Sequence, residues 1–218
     1  MDLLHTVIDM FVHLDTHLND LVTMFGPWFY VLLFFVIFCE TGLVVTPFLP
    51  GDSLLFAVGA LAAIEGSILS LPLLALLCFV AAALGNLSNY AIGRFFGARL
   101  FRGETSRFLR RSHLQQTEEF YARHGGKTII LARFMPIIRT FAPFVAGIGA
   151  MNFGRFTLHS IVGAAGWTVP FLAGGFFFGN SKVVKTNFHI VMVLIIIISL
   201  APAVIHALKA RLAAAPGA

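Results

Sequence analysis

Long uninterrupted apolar blocks constrain the fold of this chain more than any other feature of its sequence. The three clearest are residues 68–83, 156–178 and 188–208, and each approaches the ~20 residues that a helix needs to cross about 30 Å of hydrocarbon. None alternates between polar and apolar residues as a barrel strand does, so helices are the only spanning structure open to them. Charged residues make up only 11% of the chain, against about 25% in soluble domains. The sequence therefore predicts an all-α polytopic membrane protein.

The remaining composition narrows the function classes. The net charge of +5 could indicate a nucleic-acid partner, but the basic residues lie between apolar blocks, where they set membrane orientation. Cys39 and Cys78 lie in apolar stretches, which favours buried thiols over a disulfide or metal site. No phosphate-binding glycine loop, nucleophile elbow or zinc-protease motif is present. We expect no nucleic-acid partner, no cofactor, no metal and no enzymatic activity.

Two apolar stretches, residues 28–64 and 128–151, are interrupted by prolines and charges. The interrupting residues are Glu40, Pro47, Pro50 and Asp52 in the first, and Arg133, Pro136, Arg139 and Pro143 in the second. At membrane depth such backbone is tolerated only where it is buried in protein or lines a watery cavity. We predict that each stretch is a re-entrant hairpin with its tip near the midplane. An alternative extends residues 21–39 into a full span.

The positive-inside rule orients the chain. Residues 94–127 carry eight basic residues against three glutamates, which predicts a cytoplasmic loop. The C-terminus is then cytoplasmic, the N-terminus outside, and the hairpins enter from opposite faces. That arrangement has the form of an inverted repeat, which places a transporter's substrate site at the midplane. The predicted single membrane domain, residues 1–211, comprises an amphipathic helix at 1–26, a hairpin at 28–64, a span at 68–93, the loop at 94–127, a hairpin at 128–151, spans at 156–178 and 188–208, and then a tail at 212–218.

Glu40, Asp52, Arg133 and Arg139 are the most informative residues. One isolated charge near the bilayer centre costs about 2.5–3.5 kcal/mol, so four are tolerated only if they face one another or water. One interpretation is a salt-bridge cluster that holds the hairpins together. However, buried ion pairs are weak contributors to stability, and arginine grips phosphate through a planar fork that stays charged. We therefore assign these four residues to substrate binding and transport.

A polar stripe on the span at 68–93 supplies secondary candidates, which are Asn86, Asn89, Tyr90 and Arg94. The stripe could line a pathway or form hydrogen bonds between helices, and the sequence leaves both open. Near the N-terminus, Asp9, His13 and His17 share one helical face, but a solvated polar face needs no metal.

Small residues also recur at a spacing of four. Gly59 and Ala63 form one such pair, and Gly175 and Gly179 form another. This spacing is typical of faces on which membrane helices pack closely.

Three motifs resemble the bacterial DedA family over residues 1–180. They run from Glu40-Thr-Gly to Pro47-Phe-Leu-Pro-Gly-Asp52-Ser, through Tyr90-Ala-Ile-Gly-Arg94-Phe-Phe-Gly, and from His124-Gly-Gly-Lys-Thr through Arg133-Phe-Met-Pro136 and Arg139-Thr-Phe-Ala-Pro143 to Gly147. The resemblance implies two opposed re-entrant hairpins, a fold shared with eukaryotic VTT-domain lipid scramblases. It implies that Glu40 and Asp52 are the essential acids, and Arg133 and Arg139 the essential arginines. Where relatives often have Gly-Asp, this chain has Gly85-Asn86, which puts an acid-based proton transfer at that position in doubt.

The resemblance further implies recycling of undecaprenyl phosphate, with a dependence on the proton motive force. We therefore expect a flippase of the bacterial inner membrane whose partners are an anionic lipid and protons; association of the chain with copies of itself is left open. The arginines would engage the phosphate, and protonation of an acid would free an arginine for substrate. The alternatives are a proton-coupled cation or drug antiporter and a non-transporting membrane scaffold.

Overall fold

The computed structural model describes residues 14–43, 51–100 and 126–179, together with isolated positions between 181 and 197. Residues 126–132 are helical and are called the 126–132 segment. The other helices are α1 Leu14–Phe25, α2 Trp28–Gly42, α3 Gly51–Ala62, α4 Leu71–Leu100, α5 Pro136–Ile148 and α6 Phe153–Gly179. Over these ranges no strand occurs, as predicted for an all-α protein.

Two of the helices are long and apolar enough to cross a membrane. These spans are residues 71–96 of α4 and residues 153–179 of α6, where spans were predicted at 68–93 and 156–178. Helix α4 continues to Leu100, so the first residues of the predicted cytoplasmic loop are helical, while residues 101–125 lie outside the description. The third predicted span, 188–208, lies mostly outside it as well. Its described positions 190, 191, 193, 194, 195 and 197 are helical.

The chain turns between α1 and α2. Gly26 has a φ of +52°, a conformation that glycine adopts without steric cost, and Pro27 follows as the N-cap of α2. The alternative of one continuous span over residues 21–39 is therefore wrong. On α1, Leu18 and Val22 are buried while Asp20 is exposed, as an amphipathic helix requires. Asp9 and His13 lie outside the described residues, as does the side chain of His17.

Helices α2 and α3 are short, with 15 and 12 residues, so neither covers the ~20 residues of a full span. The residues that would connect them, 44–50, lie outside the description. In the second broken stretch, the 126–132 segment ends in a turn and α5 begins at Pro136. Met135 is extended, with φ −118° and ψ 107°, because the ring of a following proline disfavours the helical conformation. Both stretches are thus broken helices, and their re-entrant course stays a prediction.

Close backbone contacts join α3 to α6. Gly59 of α3 lies against the carbonyl of Leu172, and Gly175 of α6 lies against the carbonyl of Phe56. A Cβ at either glycine would overlap those atoms. Gly179 likewise contacts Ala60. The small-residue spacing at Gly59 and Gly175 therefore marks a packing face, as predicted.

The same contact recurs between α5 and α4. Gly147 of α5 lies against the carbonyl of Tyr90, and Gly93 of α4 lies against the carbonyl of Phe144. Each of the four helices therefore carries a glycine and, three residues earlier, the residue whose carbonyl contacts the glycine of the partner helix. Each second short helix thus packs on the long helix of the other half of the chain. This reciprocal pattern is what an internal repeat with exchanged partners produces.

Candidate functional site

Three of the four predicted charges come together from three helices. Glu40 lies near the end of α2, Asp52 in the first turn of α3 and Arg139 in the first half of α5. Arg139 Nη1 donates to Asp52 Oδ1 at 2.9 Å, and Arg139 Nη2 pairs with Glu40 Oε1. All three residues are buried. The expected contact between the acids and an arginine is therefore confirmed for Arg139.

The start of α3 also stabilises Glu40. The backbone N–H of Gly51 donates to Glu40 Oε1 at 3.1 Å, and the positive end of the α3 dipole faces the carboxylate. A Cβ at position 51 would overlap the Glu40 carboxyl group, so a side chain there would displace the carboxylate. The carboxylate at the end of one broken helix is thus held by the start of the next.

Arg133 has a different environment. It follows the 126–132 segment and is 4% exposed, yet none of its three guanidinium nitrogens has a hydrogen-bond partner among the described residues. Its Cζ lies 5.3 Å from the centroid of the Trp167 ring, within the range of a cation–π interaction. The fourth predicted charge therefore joins the cluster through an aromatic face and without an ion pair.

Trp167 was not predicted as a site residue. It lies near the middle of α6 and is 1% exposed. Its Nε1 donates to Asp52 Oδ1 at 2.6 Å, and its ring centroid is 5.0 Å from Arg139 Cζ. In the sequence, residues 156–178 form one of the long apolar blocks, and only a membrane span was predicted there. The available signal was a tryptophan at the centre of a span, since buried tryptophan usually has a partner for its N–H.

The site lies midway along both long helices. Gly42 and Thr41 of α2 pack on Gly85, which is at the centre of α4, and Trp167 is at the centre of α6. Since these helices can span the membrane, the charges lie at about mid-depth within the bundle. The large apolar side chains that α4 and α6 expose are suited to lipid; they include Leu73, Leu76, Leu84, Leu158, Ile161, Val162, Val169 and Phe177.

Two secondary candidates link helices around the site. The side-chain amide of Asn89 donates to the carbonyls of Thr41 at 3.2 Å and Thr140 at 2.7 Å, so it ties α4 to both α2 and α5. Asn86 donates to Ser160 Oγ on α6 at 2.9 Å. Of the two alternatives left open by the sequence, these contacts show interhelical hydrogen bonding. A role in transport stays a prediction.

The other two secondary candidates lie farther along α4. Tyr90 is buried and donates to the carbonyl of Met151, while Arg94 Nη1 donates to the Tyr90 hydroxyl at 2.9 Å. Arg94 itself is exposed. The structure thus separates this pair from the charge cluster and places it where α5 ends and α6 begins.

The arrangement favours binding of an anion. Two carboxylates share the single guanidinium of Arg139, whereas Arg133 keeps all of its donors available. Helix α5 begins just after Arg133, and its N-cap residue Met135 makes no side-chain capping hydrogen bond. A helix N-terminus carries a partial positive charge and free N–H groups. Across the part of the chain that the structure describes, no three His, Cys, Asp or Glu side chains are grouped to hold a metal ion.

Comparison with known proteins identifies similar chains. Residues 49–177 match the VTT domain. The chain is 50% identical over 218 residues to Protein DedA of Escherichia coli (strain K12), covering 100% of both. It is 38% identical over 174 residues to an uncharacterized membrane protein of Mycobacterium tuberculosis (strain CDC 1551 / Oshkosh), covering 80% of this chain and 76% of the relative. Identity to Inner membrane protein YqjA of Escherichia coli (strain K12) is 32% over 170 residues, or 76% of each chain. No solved structure matches significantly.

Proposed function

The chain belongs to the DedA family of VTT-domain membrane proteins, and from this premise we propose that it moves an anionic lipid across the inner membrane. The substrate is a lipid with a phosphate headgroup, for which undecaprenyl phosphate is the representative that the family resemblance implies. The protein acts as a transporter that leaves its substrate chemically unchanged. Its coupling ion is the proton.

Arg133 carries this proposal. A buried guanidinium without hydrogen-bond partners is costly, and a phosphate would satisfy its donors through the bidentate geometry that arginine provides. The uncapped start of α5 adds N–H groups and a partial positive charge beside it. A purely structural salt-bridge cluster accounts for Arg139 but leaves Arg133 unexplained.

Arg139 and the two acids supply the coupling step. Arg139 contacts both Glu40 and Asp52. Protonation of Glu40 or Asp52 weakens the contact of that acid with Arg139. The guanidinium nitrogen that is released can then turn toward the phosphate beside Arg133. The cation-antiporter alternative has less support, because Arg139 already holds both carboxylates that a cationic substrate would need. The scaffold alternative does not explain why Arg133 is buried without an ion pair among the described residues.

Translocation of a fluorescent prenyl phosphate in proteoliposomes, with and without an imposed pH gradient, tests the function. Wild type should transport the lipid, and Arg133→Ala should lose transport while remaining in the membrane. Lys127→Ala is the matched control, since Lys127 is an exposed cation of the same 126–132 segment. Unchanged transport by Arg133→Ala would exclude the anion site at this residue.

Glu40→Gln tests the coupling step in the same liposomes. An amide cannot take up a proton, yet Asp52 remains to pair with Arg139. We expect prenyl-phosphate binding to persist and the stimulation by the pH gradient to disappear. Stimulation equal to that of wild type would remove Glu40 from the coupling mechanism.

A further inference from the structure

Trp167 contacts three of the four residues of the charge cluster. Its indole N–H donates to Asp52 Oδ1, which also accepts from Arg139 Nη1. Its ring lies against both guanidiniums, at 5.3 Å from Arg133 and 5.0 Å from Arg139. One residue of α6 therefore contacts charges that are contributed by α3, by α5 and by the end of the 126–132 segment.

The two functions of the indole act on different partners. Its π face attracts a cation without consuming any of the N–H donors of that cation. Arg133 is thus stabilised as a cation while its fork stays available to a ligand. The indole N–H donates to Asp52 Oδ1, which also accepts from Arg139, and so it reduces the negative charge that this carboxylate presents to a second guanidinium. Both effects disfavour the formation of a second ion pair, between Arg133 and Asp52.

We infer that Trp167 is the positioning residue that keeps Arg133 available to the phosphate headgroup. It does so by offering the guanidinium an aromatic face and by donating its N–H to Asp52. Without the indole, the four charges settle into two closed ion pairs, Arg139 with Glu40 and Arg133 with Asp52, and the anion site is lost. This inference rests on the proposed function, because it assigns Trp167 to the same phosphate site.

The binding of farnesyl monophosphate to the purified protein in detergent, measured by calorimetry, is the first test. Farnesol serves as the neutral control, and inorganic phosphate separates headgroup recognition from recognition of a free anion. Trp167→Leu should weaken farnesyl phosphate binding about thirtyfold, the scale of a desolvated cation–π contact. Trp167→Phe keeps an aromatic face but lacks the N–H, and it should fall between Trp167→Leu and wild type. Wild-type affinity in both variants would overturn the inference.

A second substitution separates positioning from simple packing. If Arg133 closes onto Asp52 in Trp167→Leu, then adding Asp52→Asn removes the competing charge and should restore most of the lost affinity. If Trp167 only fills volume, Asp52→Asn will leave the affinity of Trp167→Leu unchanged or lower it further, and the inference fails. The Trp167→Phe background gives the same comparison with less change in volume.

Fluorescence provides an independent readout. The chain has two tryptophans, and Trp28 is 72% exposed on α2, so Trp28→Phe leaves Trp167 as the single reporter. Farnesyl phosphate should shift its emission saturably, and Arg133→Ala should abolish the shift. Binding by calorimetry without any emission change would contradict the assigned contact. No binding to wild type at all would instead overturn the proposed function, and the role of Trp167 with it.

Discussion

Arg133 and Arg139 carry the same guanidinium group and lie close together in the sequence, but their contacts in the structure differ. Arg139 reaches two carboxylates that come from different helices, with one fork nitrogen on each. Arg133 faces the ring of Trp167 and holds no acid in the described structure. Since both are buried, the difference lies in the partners, and it makes the two positions separable by mutation.

Lysine substitution distinguishes an arginine that binds phosphate through its planar guanidinium from one that only balances the charges of Glu40 and Asp52. Arg139→Lys should express in the membrane yet lose transport, because an ammonium can balance the charges of Glu40 and Asp52 but lacks the planar fork that grips a phosphate. Arg139→Ala should also lose transport and lower stability by about 3–5 kcal/mol, since it leaves buried carboxylates without their cation. Proteoliposome transport and thermal unfolding in detergent measure the two effects, with the exposed Arg155→Lys as control. Full transport by Arg139→Lys combined with Arg133→Lys would favour the structural salt-bridge interpretation.

At the scale of elements, the short helices are positioned by glycine contacts with the long helices of the opposite half. These contacts place the first turn of α3 and the first half of α5 at the centre of the bundle. The charges of Asp52 and Arg139 meet there as a consequence. Packing of the broken helices therefore brings the charges of the site together.

Gly175→Ala tests that coupling. The new Cβ would overlap the Phe56 carbonyl, so α3 must move away from α6, at a cost of about 1–3 kcal/mol. Gly166→Ala on the same helix is the matched control, because nothing lies within 4 Å of a Cβ at that position. The melting temperature in detergent should fall for the first variant and stay level or rise for the second. Equal melting temperatures would show that the close contact at Gly175 contributes nothing to stability.

At the scale of the whole molecule, α4 and α6 run in opposite directions. The start of α6 lies near Tyr90 on the C-terminal part of α4, since Tyr90 contacts both Met151 and Phe156. Residues that precede α4 and residues that begin α6 are therefore at opposite ends of the bundle. The charge distribution predicts that the first group is outside and the second is cytoplasmic.

Cysteine labelling with an impermeant maleimide on intact cells tests the orientation. In a background without Cys39 and Cys78, Glu65→Cys should label from outside and Arg155→Cys only after permeabilisation, since both positions are exposed. Labelling of position 155 but not of position 65 in intact cells would reverse the predicted topology.

The residues alone are enough to predict that the chain is a helical membrane protein and that two of its apolar stretches are broken. Hydrocarbon cannot hydrogen-bond to a free backbone group, so block length and the prolines at 47, 50, 136 and 143 are sufficient for those conclusions. The four buried charges were also predictable, because the cost of an isolated charge in a membrane is a local property of the residue. Their grouping followed from that cost.

Which of the four charges pair depends on tertiary packing. Asp52 and Arg139 are separated by 87 residues along the chain, and their contact depends on how α3 and α5 each pack on the opposite half. The same packing brings Trp167 to the cluster and leaves Arg133 without an acid among the described residues. Neither outcome has a local signature, because periodicity reports which face of a helix is apolar and says nothing about which distant side chain meets it.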